Sequence, residues 1–108
     1  MTKRKVCFLL LSLLLLACGK GGDYEQMHEQ LMKAKAQNEN YESFVSDSMM
    51  LSVADYFDRN GTANEKMLAH YLLGCVYRDL GDMPRSLECY HQAVACADTT
   101  DADCDYLL

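Results

Sequence analysis

The stretch TANEKMLAHYLLGCVYRDLGDMPRSLECYHQAVACA, residues 62–97, decides the fold. It opens on Thr62-Ala63-Asn64-Glu65, the spacing of a capping box. In that motif the threonine hydroxyl and the glutamate carboxylate each bond a backbone N–H that the first helical turn leaves free. From Ala63 to Leu80 the residues Ala69, Leu72, Leu73, Val76, Tyr77 and Leu80 recur at steps of three and one, which marks one apolar helix face. Gly81 ends this helix. Asp82 caps the next, with Pro84 in its first turn, where a missing N–H costs nothing. The second helix runs to about Ala97 and is expected to turn Leu87, Tyr90, Ala93, Val94 and Ala97 inward. Two helices of similar length joined by a Gly-Asp turn form an antiparallel hairpin.

Side-chain size sharpens the reading. Gly74 and Ser86 are small, so the two helices can approach closely there. Tyr77 and Tyr90 are large and fill the space beside those positions, and Leu73, Leu87 and Ala93 complete the shared core. The pattern His70-x-x-Leu73-Gly74-x-x-Tyr77, then Gly81-Asp82, Ser86-x-x-x-Tyr90 and Ala93, closely resembles a tetratricopeptide repeat. The resemblance covers residues 67–100 of a hairpin spanning 61–100. It departs from the family at His70, where a large residue such as tryptophan is usual, and near Asp98, where a proline often closes the repeat. It implies a docking scaffold that holds a peptide or partner protein on a concave helical face. Tyr71, one step off the core stripe, is the best candidate to touch that partner. Tyr24, Tyr41 and Tyr56 are further candidates, since tyrosine is favoured at interfaces.

Upstream, residues 23–60 read as a degenerate helix pair stacked before the hairpin. Asp23–Gln37 carries Tyr24, Met27, Leu31 and Ala34 at helical steps, with acidic residues at its start to suit the dipole. Asn38-Glu39-Asn40 breaks it. Asn40 is expected to cap a helix over Tyr41–Arg59 that turns Phe44, Val45, Met49, Val53, Tyr56 and Phe57 to the core. Asn60-Gly61 ends that helix, with Gly61 expected in the left-handed conformation. Nothing alternates as a strand does. The fold class is therefore all-α, with helical hairpins stacked as a short tetratricopeptide-like solenoid.

The chain begins with Thr2-Lys3-Arg4-Lys5 and an apolar run from Val6 to Leu16, too short for the ~20 residues a spanning helix needs. A basic start, a short apolar core and a small residue before the cut describe a secretory signal over residues 1–17. Leu15-Leu16-Ala17-Cys18 resembles the bacterial lipoprotein box. That resemblance implies cleavage before Cys18, a covalent diacylglycerol and acyl lipid on it, and a lipoprotein of the bacterial cell envelope, in the inner or outer membrane. No other cofactor is expected. Residues 18–22 then form the lipidated cysteine and a short tether. With its repeat, the chain is similar to the N-terminal part of longer multi-repeat lipoproteins of Bacteroidetes.

The full chain holds 10 basic and 16 acidic residues, and loss of the leader leaves 7 and 16, a net charge of −9. Such a balance argues against nucleic acid as a partner, which demands a basic footprint. The remaining cysteines are Cys75, Cys89, Cys96 and Cys104. Cys89 and Cys96, about 10.5 Å apart along one helix, are too distant to pair. Cys75 with Cys89, or Cys96 with Cys104, stays open beside free, partly buried thiols, the favoured reading. His28, His70 and His91 lack metal-binding spacing, and no residues make a nucleophile–base pair, so neither a metal site nor catalysis is expected. Met27, Met32, Met49, Met50, Met67 and Met83 read as core filling or an adaptable surface.

Residues 101–108 look like the start of a truncated helix. Two hairpins fall short of the three or so repeats a solenoid usually needs. The outer face of the 84–97 helix is therefore expected to be sticky and open to self-association. A fragment of a larger sensory or regulatory envelope lipoprotein is the alternative to a docking scaffold, with an enzyme a distant third.

Overall fold

The computed structural model describes residues 22–97. The leader, Cys18 and its tether through Gly21, Cys104 and the segment 101–108 lie outside the described residues. Four helices account for most of the described chain: α1 over 22–39, α2 over Ser48–Asn60, α3 over Ala63–Asp79 and α4 over Met83–Cys96. There is no strand among the described residues. None of these helices is long and apolar enough to cross a membrane.

Hydrogen bonds between helices define their directions. At the start of α1, the Tyr24 hydroxyl donates to Glu65 at the start of α3, at 2.6 Å. At the end of α1, Asn38 accepts from Arg78 at the end of α3, at 3.1 Å. The two helices therefore run parallel. The Tyr77 hydroxyl, late in α3, donates to Asp47 just before α2, and His70 Nε2 lies 2.7 Å from Asp58 Oδ1, late in α2. Those contacts set α2 antiparallel to α3. Arg85, early in α4, lies over the Tyr77 ring late in α3, and Tyr90, later in α4, packs on Tyr71, earlier in α3, which sets α4 antiparallel to α3 as well. The result is two hairpins, α1–α2 and α3–α4, stacked so that their first helices are parallel.

The capping box before α3 forms in full: Thr62 accepts from the Glu65 N–H, and Glu65 accepts from the Thr62 N–H. Asp82 caps α4 by accepting from the Arg85 N–H. Both first helices end in the same way. After α3, Gly81 adopts φ +81°, its N–H donates to the Arg78 carbonyl, and the Asp82 N–H reaches back to Tyr77. After α1, Tyr41 adopts φ +59°, its N–H donates to Asn38, and the Glu42 N–H reaches back to Gln37. This pairing of bonds is the Schellman motif. Its two copies, at residues 41 and 81, place Ala34 in register with Gly74.

The second helix corrects the expectation of one over Tyr41–Arg59. Residues 42–46 are non-helical and α2 begins at Ser48. Asn40 belongs to the end of α1, where its N–H bonds Ala36, and caps nothing downstream. The left-handed turn at Tyr41 breaks the helical path, and the Phe44 N–H is then taken by the Asp79 carboxylate at 3.0 Å. Phe44 stays buried, but Val45 and Met49 turn to solvent and Met50 takes the core position. Gly61 also differs: its φ of −94° is extended, not left-handed. A Cβ there would stand 2.6 Å from the Phe57 carbonyl oxygen, so lack of bulk is what the position needs.

One core joins the helices. Leu31 of α1, Val53 and Phe57 of α2, and Ala69, Leu72 and Val76 of α3 are fully buried. Met50 and Met67 are core residues, Met27 and Met32 pack at its edge, and Met49 and Met83 are exposed.

A tyrosine in the left-handed region is strained by roughly 1 kcal/mol. Tyr41→Gly should therefore raise the free energy of unfolding by about 0.5–1 kcal/mol, read from the urea midpoint at unchanged slope.

Candidate functional site

The site is built over the crossing of α3 and α4. Gly74 is buried, and a Cβ on it would meet the Tyr90 ring at 2.5 and 2.6 Å. The Ser86 carbonyl oxygen would lie at 3.2 Å. Ser86 is itself fully buried, and its hydroxyl donates to the Gly74 carbonyl at 2.7 Å. Leu73 of α3 and Ala93 of α4 are buried as well. The Tyr90 hydroxyl donates to Cys75 Sγ at 3.7 Å, and the Tyr71 ring lies against the Tyr90 ring with centroids 5.5 Å apart. The absent side chain at Gly74 thus seats Tyr90, and Tyr90 supports Tyr71.

This close crossing corrects the expected inward face of α4. Ser86, Cys89 and Ala93 are its buried residues, whereas Leu87 and Val94 are exposed. Leu80, expected on the α3 stripe, is also exposed. A helix drawn this near to its neighbour has room between the two backbones only for small side chains, and the large ones go outward.

Tyr77 serves a different contact from the one its size suggested. It is buried, its hydroxyl donates to Asp47 Oδ2 at 3.0 Å, and the Arg85 guanidinium lies 5.6 Å over its ring. It ties the second hairpin to the start of α2. Burial, and then the bond to Asp47, push its phenol above the ordinary value.

Tyr71 lines an open cleft of about 390 Å³ with Asn38, Tyr41, Glu42, Ser43, Arg78 and Asp79. The end of α1, the loop after it and the second half of α3 contribute these residues. Asp79 holds them together: one oxygen accepts the Phe44 N–H and the other accepts Arg78 Nε, each at 3.0 Å. Arg78 also donates to Asn38. Burial alone would push the Asp79 carboxyl up. The Phe44 N–H and the Arg78 guanidinium outweigh it and hold the group below its ordinary value. Two of the four candidate tyrosines, Tyr41 and Tyr71, share this cleft. Tyr24 and Tyr56 sit instead edge-on to Phe57, with Tyr24 stacked on His28.

The arrangement suits shape and hydrogen-bond recognition. Cys75 is fully buried, and that burial pushes its thiol up, away from the thiolate a nucleophile needs. Cys75, Cys89 and Cys96 are free. The histidines are separated: His28 is on α1, His70 faces Asp58 of α2, and His91 is exposed on α4. No group of three His, Cys, Asp or Glu side chains placed to hold a metal occurs among the described residues.

Sequence reasoning missed Asp79, Asn38, Arg78 and Asp47. Each works across 30 to 40 residues of chain, and none stands in a motif. Asp79 is set apart from the chain's other described acidic side chains by its shielding, with its side chain only 14% exposed. Comparison with protein-family models, curated proteins and solved structures finds no match.

Two carboxylates give the fold an acid limit. In Glu65, burial pushes the carboxyl up, but hydrogen bonds from the Thr62 N–H and Tyr24 outweigh it and leave a lowered value. Asp79 is lowered too. Groups lowered in the folded state stabilise it above their unfolded values and lose that contribution as pH falls. The melting temperature should drop between about pH 5 and about pH 3, and should drop less in Asp79→Asn. An equal acid slope in the variant would contradict this.

Proposed function

We propose that this chain is a tetratricopeptide-like docking module, exported and held at a bacterial membrane by lipid on Cys18. One observation carries the docking part of the reading: the Gly74–Tyr90 contact fixes the Tyr71 ring at the wall of a polar cleft. The parallel stacking of α1 and α3 supports it, because stacked hairpins of that kind present a continuous helical surface. The occupant is a short peptide segment of a partner protein, held by stacking on Tyr71 and Tyr41 and by hydrogen bonds to Asn38, Ser43 and the Arg78–Asp79 pair. No covalent step is assigned to the cleft. The leader sequence and Cys18 carry the envelope part, through their resemblance to the lipoprotein box. Two or more acyl chains suffice for stable anchoring. The fragment reading, in which a sensory or regulatory region is joined to this module, leaves the docking role intact.

Two measurements test these parts separately. Expressed in a bacterium, the chain should incorporate labelled palmitate and partition into detergent, and Cys18→Ser should do neither. Labelling that persists in Cys18→Ser would overturn the anchor. For the cleft, a random peptide library panned on the chain should enrich peptides that lose binding at least about tenfold to Tyr71→Ala. Enriched peptides indifferent to both Tyr71→Ala and Tyr41→Ala would overturn the assignment of the cleft.

A further inference from the structure

The tyrosine at position 41 brings the fold strain and no contact. In the matching turn at residue 81 a glycine takes the left-handed conformation freely. Tyr41 takes it at φ +59°, with a clash that glycine avoids. Its side chain returns nothing to the packing. It is 95% exposed, and among the described residues its ring stacks on no other ring and its hydroxyl makes no hydrogen bond. Residues held in such sparsely populated conformations cluster where ligands are gripped. Tyr41 lines the same cleft as Tyr71, and both faces of its ring are open to an occupant.

The charges around the cleft cancel, except one. Arg78 is neutralised by Asp79, 3.0 Å from its Nε, and also donates to Asn38. Lys35, in the last turns of α1, pairs with Glu39 at 3.9 Å. Glu42 is left over: it lines the cleft, it is exposed, and its side chain has no hydrogen bond or ion pair to a described residue. An anionic occupant would meet two carboxylates, Asp79 and Glu42, for one guanidinium already engaged. A cation meets an open aromatic face beside an unpaired carboxylate, the pairing that holds arginine and lysine side chains. The chain's net charge of −6 draws cations from a distance. We infer that this cleft selects a cationic side chain, the arginine or lysine of a partner peptide, which stacks on Tyr41 and pairs with Glu42. The inference rests on the docking reading of the cleft and names what the docked segment must carry.

The probe is a blocked tripeptide with arginine at its centre. Its counterparts carry citrulline, the neutral isostere, or glutamate. Each is titrated into the isotopically labelled full chain and followed by amide chemical shifts. The arginine peptide should give saturable shifts at residues 41–43. The citrulline and glutamate peptides should bind at least about threefold more weakly, and so should the arginine peptide to Tyr41→Gly and to Glu42→Gln. Tyr41→Gly relieves strain, so its loss of binding cannot come from unfolding. Tyr41→Phe keeps the ring and should bind as the parent does. Glu88→Gln removes the same charge from α4, outside the cleft, and should also leave binding unchanged.

Equal binding of the arginine and citrulline peptides would overturn the proposal. So would undiminished binding to Tyr41→Gly, or equal losses in Glu42→Gln and Glu88→Gln, which would reduce the effect to net charge. Library peptides that depend on Tyr71 but not on Glu42 would overturn the cation and leave the docking site standing. Peptides indifferent to both tyrosines would overturn the docking site itself.

Discussion

The approach of α3 to α4 at Gly74 is the contact on which the second hairpin depends. A hydrogen atom in place of a side chain lets the Tyr90 ring lie where a methyl group would come within 2.5 Å of it. Ser86 answers from α4 with a hydroxyl small enough to be fully buried and able to bond the Gly74 carbonyl. A buried hydroxyl without a partner is costly, so this bond is part of what fixes the crossing. The effects run outward from there. Tyr90 braces Tyr71, and Tyr71 lines the cleft. On the other side, small residues occupy the interface and leave Leu87 and Val94 in solvent.

The first hairpin is built to the same plan but more loosely. Its equivalent of Gly74 is Ala34, and its equivalent of the left-handed Gly81 is Tyr41. The short turn between α3 and α4 becomes a longer irregular segment between α1 and α2. Bonds from the second hairpin hold that segment: Asp79 takes the Phe44 N–H, and Tyr77 bonds Asp47. The two hairpins are thus mutually dependent. The one with the stronger local signals organises the weaker, and the cleft forms where they meet.

Legibility followed the range of the interactions. The capping box at Thr62, the Asp82 cap and the turn at Gly81 are set by residues within a few positions of one another, so the sequence announced them. The small-residue crossing at Gly74 and Ser86 was also visible, since size alone signals close approach. What sequence reasoning missed was set at a distance or ran against residue type. The start of α2 was hidden because a tyrosine holds the left-handed position that glycine usually fills, and because Phe44 and Val45 suit a helix stripe. The outward turn of Leu87 and Val94 defeated apolar periodicity, which ranks residues by hydrophobicity and not by the space between two backbones. The residues around Tyr71 were unreadable for a third reason: Asn38, Arg78 and Asp79 are ordinary surface residue types until the two hairpins bring them together.

The central claim is that the glycine at 74 and the aromatic ring at 90 are one device. A double-mutant cycle in urea tests it, with Gly74→Ala, Tyr90→Leu and the pair. Adding a methyl group to a filled site should destabilise by about 1–3 kcal/mol, and removing the ring should destabilise as well. If the two share one space, the double variant loses less than the sum of the singles, with a coupling of at least about 1 kcal/mol. Additive losses would mean that the ring does not depend on the glycine, and would contradict the account.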